Sequence, residues 1–433
     1  MLNLTLMNRQ ELTTLREGLL PIYDDVVAKG LKLNMARGKP APEQLTLSQS
    51  LITMPQPADL VVEDGIDVRN YGGIQGLLEA RRLFSFMVGV PADQVVLGDN
   101  SSLAMMYDCI GFAWRHGFCD SDRPWGKESS VSFLCAVPGY DRHYRICEDY
   151  GINLIPVQMN DDGPDVEAVK RLVASDSSIR GMWCVPKYSN PTGTVYSNDV
   201  IESLASMPTA ASDFKLFWDN AYSVHHLTDE RVEIANIVEL CTQHGHPHRA
   251  LVYASTSKIT LAGAGVAIFG SSQKNVQWLL KHTDVRTVGP DKINQLRHVR
   301  FLKDQEGIHA LMEQHRQIMA PKFNAVLSQL ECDLSGRGIA KWTMPRGGYF
   351  ISLEIYPGCA KRVVELAAHA GVVLTTAGAP YPAGHDPQDS NIRIAPSLPS
   401  LNEIRTASKA IGLCVLLAAT EKLISKRQTS AFA

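Results

Sequence analysis

The feature that most constrains this chain is a series of six short apolar runs, at 131–136, 154–157, 182–186, 216–218, 251–254 and 266–269. Each is rich in β-formers and bounded by polar or turn residues, and none alternates polar with apolar. A strand with one wet face alternates with period two, whereas a strand buried on both faces has no reason to. Such a sheet needs a layer over each face. Val166, Val169, Leu172 and Val173, at helical spacing between two of the runs, mark one covering helix. The pattern predicts an α/β architecture, a mostly parallel central sheet flanked by helices.

The rest of the chain reads differently. Residues 1 to about 30 form an amphipathic helical pattern, and Arg37-Gly38-Lys39-Pro40-Ala41-Pro42 then breaks it into a loop. Helices are expected over 75–88 and over 101–117, the latter with Leu103, Met106, Ile110 and Trp114 on one face, with a short strand at 95–97 between them. Residues 117–130 read as a polar loop. Beyond about residue 300 come one long helical region (299–329), strands at 349–353, 372–374 and 392–395, and a helix at 363–369. This suits a smaller α+β domain. The apolar stretch 411–420 follows a capping-box pattern from Ser400 to Glu403 and reads as a buried helix, with 425–433 as a frayed end. The expected division is a large domain over 51–319 and a small one made of 1–50 together with 320–433.

A chain of 433 residues is too long for one simple core. Its net charge of -3 gives no basic excess to track a phosphate backbone, so nucleic acid is excluded as a partner. No run of apolar residues approaches a membrane span, and the first residues lack the pattern of a signal peptide. Nine scattered cysteines form no C-x-x-C pair and no cluster with zinc-ligand spacing. The expectation is a cytoplasmic protein with reduced, buried cysteines, no membrane contact and no metal.

Ligands of open α/β sheets bind beyond the carboxyl ends of the strands. The residues after each run are therefore the candidates. Gly98-Asp99-Asn100-Ser101-Ser102 follows the strand at 95–97 and opens a helix. Asn190-Pro191-Thr192-Gly193 follows 182–186, Asp219-Asn220-Ala221-Tyr222 follows 216–218, and Ser255-Thr256-Ser257-Lys258 follows 251–254. Singly, each is an ordinary turn or N-cap. Together they bring an amide, a carboxylate, a phenol, a lysine and a helix N-terminus to one edge of the sheet. That set suits a pyridine ring bearing a phosphate. Asp219 would keep the ring nitrogen protonated and preserve an electron sink. Asn190 and Tyr222 would donate to a phenolic oxygen. Lys258 would form a Schiff base and shuttle a proton. Ser101 and Ser102 would take the phosphate on their N–H groups and hydroxyls, aided by the helix dipole, with Ser255 and Ser257 adding hydroxyls.

On these residues, and on Asn391-Ile392-Arg393-Ile394-Ala395, the sequence resembles the class I aminotransferases of pyridoxal-phosphate fold type I, from about residue 37 onward. The wording at 100–103, 137–143 and 345–350 is similar to the type Ic aspartate aminotransferases, also labelled MocR-like. The resemblance implies pyridoxal 5'-phosphate as cofactor, Lys258 as its Schiff-base lysine and Asp219 as the pyridinium partner. It implies Asn190 and Tyr222 on the phenolic oxygen, Tyr140 stacked on the ring, and Ser101, Ser102 and Ser255 on the phosphate. Arg393 resembles the arginine that grips the substrate α-carboxylate, and Gly38 the glycine lying against the substrate. Tyr71, in Tyr71-Gly72-Gly73, resembles the tyrosine that reaches the neighbouring subunit's phosphate, which implies a homodimer with shared active sites. One departure stands out. Where the family carries a phosphate-binding arginine after the lysine, this chain has Gly265; Arg286, Lys292, Arg297 and Arg300 are substitutes by charge alone.

The implied activity is ping-pong transfer of an amino group between an amino acid, best matched by L-aspartate, and a 2-oxo acid, best matched by 2-oxoglutarate. A dicarboxylate needs a second cation at its far end, and Arg37, Lys39 and Arg346 flank loops expected to face the site. Two other readings share the core motifs. One is a pyridoxal-phosphate β-lyase or decarboxylase on the same fold. The other is a MocR-like regulatory module, for which the roughly 30 residues before Arg37 are too few to form a winged helix.

Overall fold

The computed structural model describes residues 2–429. Its central sheet has eight strands: β1 (Val95–Leu97), β2 (Ser132–Val137), β3 (Asn153–Asn160), β4 (Gly163–Pro164), β5 (Ile179–Cys184), β6 (Lys215–Asp219), β7 (Ala250–Ser255) and β8 (Ala267–Gly270). Their spatial order is β1-β8-β7-β6-β5-β2-β3-β4. The pairs β3/β2, β2/β5, β5/β6 and β6/β7 are parallel, while β8 runs antiparallel to both β7 and β1.

The missing alternation has a direct cause. Leu134, Met182, Leu216, Trp218 and Val252 pack into one apolar cluster, and Phe133, Cys135, Trp183, Phe217 and Leu251 pack into another. Successive residues of a strand thus enter opposite layers, both dry. The α/β fold with a helix-flanked sheet is as the sequence predicts. β3 is the exception. It runs over eight residues, flanked by β2 and by the two-residue β4, and only one of its side chains is fully buried.

A third apolar cluster joins the chain's two ends. Helices Arg9–Ala28, Gln305–Leu334 and Leu401–Thr429 contribute Leu12, Phe323, Val326 and Val415 to it. A three-stranded antiparallel sheet, Ala340–Trp342, Ile351–Ile355 and Asn391–Ile394, contributes Ile351, Leu353 and Ile392. Leu33–Asn34 pairs in parallel with Val372–Val373 and ties the segment before the 37–42 loop to this body.

Several sequence expectations need correction. The region 299–329 is two helices, Lys292–Leu302 and Gln305–Leu334, broken at Lys303 (φ 66°). Asp304 opens the second by accepting the Gly307 N–H at 2.8 Å, an N-cap that the apolar periodicity hides. The helix read at 411–420 runs over Leu401–Thr429, and the Ser400–Glu403 capping box forms. Residues 425–429 are therefore helical, and the rest of the frayed end lies outside the described residues. The 117–130 segment is no mere polar loop, because it folds Phe118 and Trp125 into the core. No helix among the described residues is long and apolar enough to cross a membrane.

One buried carboxylate gathers several of that segment's contacts. Fully buried Asp213 accepts from Ser121 Oγ (2.5 Å), Trp125 Nε1 (2.8 Å) and Arg180 Nη1 (2.5 Å). Burial pushes its carboxyl up, but these three donors outweigh burial and hold it below the usual range. Asp213→Ala would leave the Trp125 N–H without its acceptor and Arg180 with Glu128 as its one remaining acid, and is expected to cost about 3 kcal/mol in denaturant unfolding. The linkage has a definite sign. Stability from Asp213 is fully present above the unfolded pKa of about 3.9 and is lost as pH falls through the lower folded value, so the wild-type advantage shrinks in acid.

Candidate active site

The carboxyl ends of β5, β6 and β7 and the loop after β1 open on one cavity of about 1270 Å³. Asn190, Asp219, Tyr222 and Lys258 line it from these ends; Ser102, Tyr140, Arg393 and Gly38 line it from elsewhere in the chain.

Asp219 is the last residue of β6 and is 5% exposed. Its Oδ2 lies 3.0 Å from His143 Nε2, and its Oδ1 accepts the Ala221 N–H at 3.2 Å. His143 belongs to helix Asp141–Asp149 and stacks on Trp183 of β5 with ring centroids 4.4 Å apart and 9° between planes. The carboxylate is thus aimed by an imidazole that the sheet itself clamps.

Lys258 follows β7, and its Nζ lies 5.0 Å from the centroid of the Tyr222 ring. Desolvation pulls its pKa below the ordinary lysine value, and the nearby Asp219 charge offsets only part of this. A lysine that releases its proton more easily is a better nucleophile near neutral pH. Its backbone is pinned as well. His225 Nε2 lies 3.3 Å and the Tyr349 hydroxyl 3.5 Å from the Lys258 carbonyl, and Gln44 donates to that hydroxyl at 3.1 Å. Burial and the Lys258 charge keep the His225 pKa well below its usual value, so it meets the carbonyl as a neutral donor. Burial likewise raises Tyr222 well above the ordinary phenol range and Tyr140 to about 12, which leaves both as protonated donors.

Arg393 lies in strand Asn391–Ile394 and is 8% exposed. Its guanidinium sits 5.0 Å over the Phe350 ring. Nη1 donates to Asn190 Oδ1 (3.3 Å) and Asp141 Oδ1 (3.0 Å), and Nε to Thr375 Oγ1 (3.4 Å). Gly38 crosses the same ring so closely that an added Cβ would lie 2.6 Å from Phe350 Cζ.

The serines gather where the Lys258 turn meets the helix after β1. Ser255 Oγ lies 2.7 Å from Ser257 Oγ, Ser257 Oγ donates to the Asn100 carbonyl at 3.3 Å, and Ser101 caps helix Ser102–His116 by accepting the Ala104 N–H at 3.1 Å. Ser102 reaches the cavity, while Ser101, Ser255, Ser257 and Tyr71 are not among its lining residues. The glycine at 265 has a steric reason. A Cβ there would lie 2.7 Å from Ser257 Oγ and 3.0 Å from its backbone nitrogen, so no side chain fits without moving the Lys258 turn.

None of the charge-based substitutes lines the cavity. Arg286 pairs with Asp108, Arg300 with Glu79, and Lys292 donates to the Asn70 and Gly72 carbonyls at 2.7 and 2.6 Å. Lys292 thereby staples the loop that presents Tyr71, itself 84% exposed. Arg37 and Lys39 line the cavity; Arg346 does not, and pairs with Glu230 instead. Sequence reasoning missed His143, His225, Tyr349, Asp141, Arg142 and Arg145. The one signal for His143 was its spacing of three from Tyr140 at the start of a helix.

A buried lysine of lowered pKa and an oriented acid at the strand ends of an α/β sheet, faced by an arginine that holds a carboxylate, suit one class, an enzyme that handles small amino- and oxo-acids. The chain matches the aspartate amino-transferase family over residues 7–427. It is 49% identical to an aspartate aminotransferase of Corynebacterium glutamicum over 399 residues, 92% of each chain. A crystal structure of an aspartate transaminase from that organism superposes with a TM-score of 0.95 at 46% identity, covering 98% of this chain and 99% of the other. An α-aminoadipate aminotransferase from Thermus thermophilus shares the fold at 21% identity, with a TM-score of 0.73 over 93% of this chain and 95% of its own. The chain belongs to the aspartate amino-transferase family and is an aminotransferase.

Proposed function

We propose that this enzyme moves the amino group between L-aspartate and a 2-oxo acid, 2-oxoglutarate being the best match, with pyridoxal 5'-phosphate held by Lys258. The observation that carries the dicarboxylate reading is the charge of the cavity. Arg37, Lys39, Arg142 and Arg145 line it in addition to Arg393. The cavity's acids are fewer and are already engaged, Asp219 with His143, Asp141 with Arg393 itself, and Glu148 with the Ala383 N–H at 3.1 Å, which leaves Arg37, Lys39, Arg142 and Arg145 in surplus. A substrate with two carboxylates meets that imbalance.

The donor set fits the cofactor. A buried acid, a lysine with a lowered pKa, two protonated phenols and a serine-lined helix N-terminus are the groups such a ring and phosphate require. When bound, the cofactor supplies the sink for the charge that develops at the substrate Cα. Lys258 Nζ carries the proton at that atom. Asp219, fixed by His143, would pair with the ring nitrogen, Asn190 and Tyr222 would hold the phenolic oxygen, and Tyr140 would stack on the ring. Ser102, which lines the cavity, would hold the phosphate together with Ser101, Ser255 and Ser257 behind it. Arg393 grips the α-carboxylate, with Gly38 against the substrate. In the same reading Tyr71, exposed on its stapled loop, serves the site of a second copy in a homodimer. The division into a large domain over 51–319 and a small one made of 1–50 with 320–433 is supported by the apolar cluster that joins the chain ends, into which Val185, Tyr188, Tyr222, Leu227 and Val232 of the large domain also pack. The nine free cysteines support a cytoplasmic enzyme.

The test is the visible spectrum of the protein supplied with pyridoxal 5'-phosphate, before and after L-aspartate without any 2-oxo acid. Loss of the initial band with one equivalent of oxaloacetate is expected. A band that aspartate leaves unchanged overturns the substrate, and no band at all overturns the cofactor. Carbon dioxide or ammonia in place of oxaloacetate would mark a decarboxylase or lyase.

A further inference from the structure

Arg393 already carries an acid. Its Nη1 is shared by Asn190 and Asp141, its Nε goes to Thr375, and its Nη2 has no partner among the described residues. A carboxylate that grips a guanidinium in bidentate fashion through Nη1 and Nη2 needs a place on Nη1, which Asn190 and Asp141 now fill, and of these two Asp141 carries the competing charge. Two carboxylates on one amino group repel each other. Asp141 is the accessible partner, with 32% of its side chain exposed against 9% for Arg393, and it lines the same cavity.

We propose, resting on the aminotransferase reading, that Asp141 is a displaceable counter-ion: it neutralises Arg393 between turnovers and yields that place to the substrate α-carboxylate. The freed acid has somewhere to go. Asp141 is the first residue of helix Asp141–Asp149, where the helix N-terminus favours a negative charge. Arg145 stands four residues on, an i,i+4 cation on the same helix face. It lines the cavity and has no acid partner among the described residues. The exchange takes place beside the cofactor groups, since Asp141 lies between Tyr140 and His143, whose rings meet edge to face at 4.9 Å. Asp141 is thus a positioning residue that sets how strongly the site draws carboxylates.

The test compares wild type, Asp141→Asn, Asp141→Glu, Arg145→Gln and the Asp141→Asn/Arg145→Gln double variant. Two quantities are read: KM and kcat for L-aspartate and 2-oxoglutarate, and the dissociation constant of unreactive succinate. Asp141→Asn is expected to lower KM for both substrates, and the succinate constant, about tenfold, with kcat changed less than KM. Asp141→Glu should return KM toward wild type. Arg145→Gln should raise KM more in the wild-type background than in the Asp141→Asn background, where the acid it receives is gone and only its direct charge on the cavity is lost. An unchanged or raised KM in Asp141→Asn overturns the proposal and leaves Asp141 as a fixed brace for Arg393. Equal effects of Arg145→Gln in both backgrounds overturn the transfer to Arg145. Should wild type accept no amino acid, the functional reading falls, while the succinate constants still decide the role of Asp141.

Discussion

Lys258→Ala is expected to lower kcat by roughly 10⁴-fold, with folding intact. The cavity's other lysine, Lys39, comes from the 37–42 loop and not from the strand ends beside Asp219. Lys187 is the next lysine along the strand ends, but it is buried and its Nζ is committed to the Ser223 carbonyl at 2.7 Å. Lys258→Arg should be equally inactive, since a guanidinium keeps the charge but cannot give up its proton in the working range. A small amine added to Lys258→Ala should restore part of the rate, with a dependence on amine basicity, if the missing function is proton transfer at the substrate Cα. Stopped-flow absorbance of a single half-reaction separates this from slower binding. A Lys258→Ala enzyme retaining a tenth of the wild-type rate would remove Lys258 from the mechanism.

Asp219→Asn carries the second large effect, a loss in kcat/KM of roughly 10³-fold. The amide preserves volume and can still reach His143, so what disappears is the negative charge. Without it a ring nitrogen is no longer held protonated, and the electron sink weakens. The same charge is the one influence that raises the Lys258 pKa against desolvation. Its removal must therefore move Lys258 further down. In the cofactor-free variant, the pH dependence of Lys258 modification by an amine-reactive probe should shift to lower pH; a shift to higher pH would contradict the arrangement. His143→Phe should reproduce part of the kcat loss by freeing the carboxylate's orientation, without the same shift of Lys258.

Much of this site was legible before any fold was known, for a local reason. In a parallel sheet each strand delivers its next residue to the same edge, so Asn190, Asp219 and Lys258 are announced by the apolar runs that precede them. The capping box at Ser400 and the covering helix at 166–175 were readable in the same local way. The misread elements fail for an opposite reason. The break at Lys303 depends on one residue with a positive φ inside an otherwise helical pattern, and the burial of Trp125 depends on Asp213, 88 residues away.

The partners of the site residues belong to that second group. His143 finds Asp219 across 76 residues, Arg393 finds Asp141 across 252, and the Tyr349 hydroxyl finds the Lys258 carbonyl across 91. Nothing in the local pattern around either member encodes such a pair, because each is a by-product of how the layers stack. Gly265 shows the same division. The sequence shows that no arginine is there, and the close approach to Ser257 shows what a side chain would displace. By itself, then, the sequence determined the sheet, its helical layers and the reactive groups at its edge, since these follow from periodicity and from residues next to one another. Which imidazole aims Asp219, which acid occupies Arg393 and which cations face the cavity were decided by the tertiary structure, where distances of a few ångströms join segments tens to hundreds of residues apart.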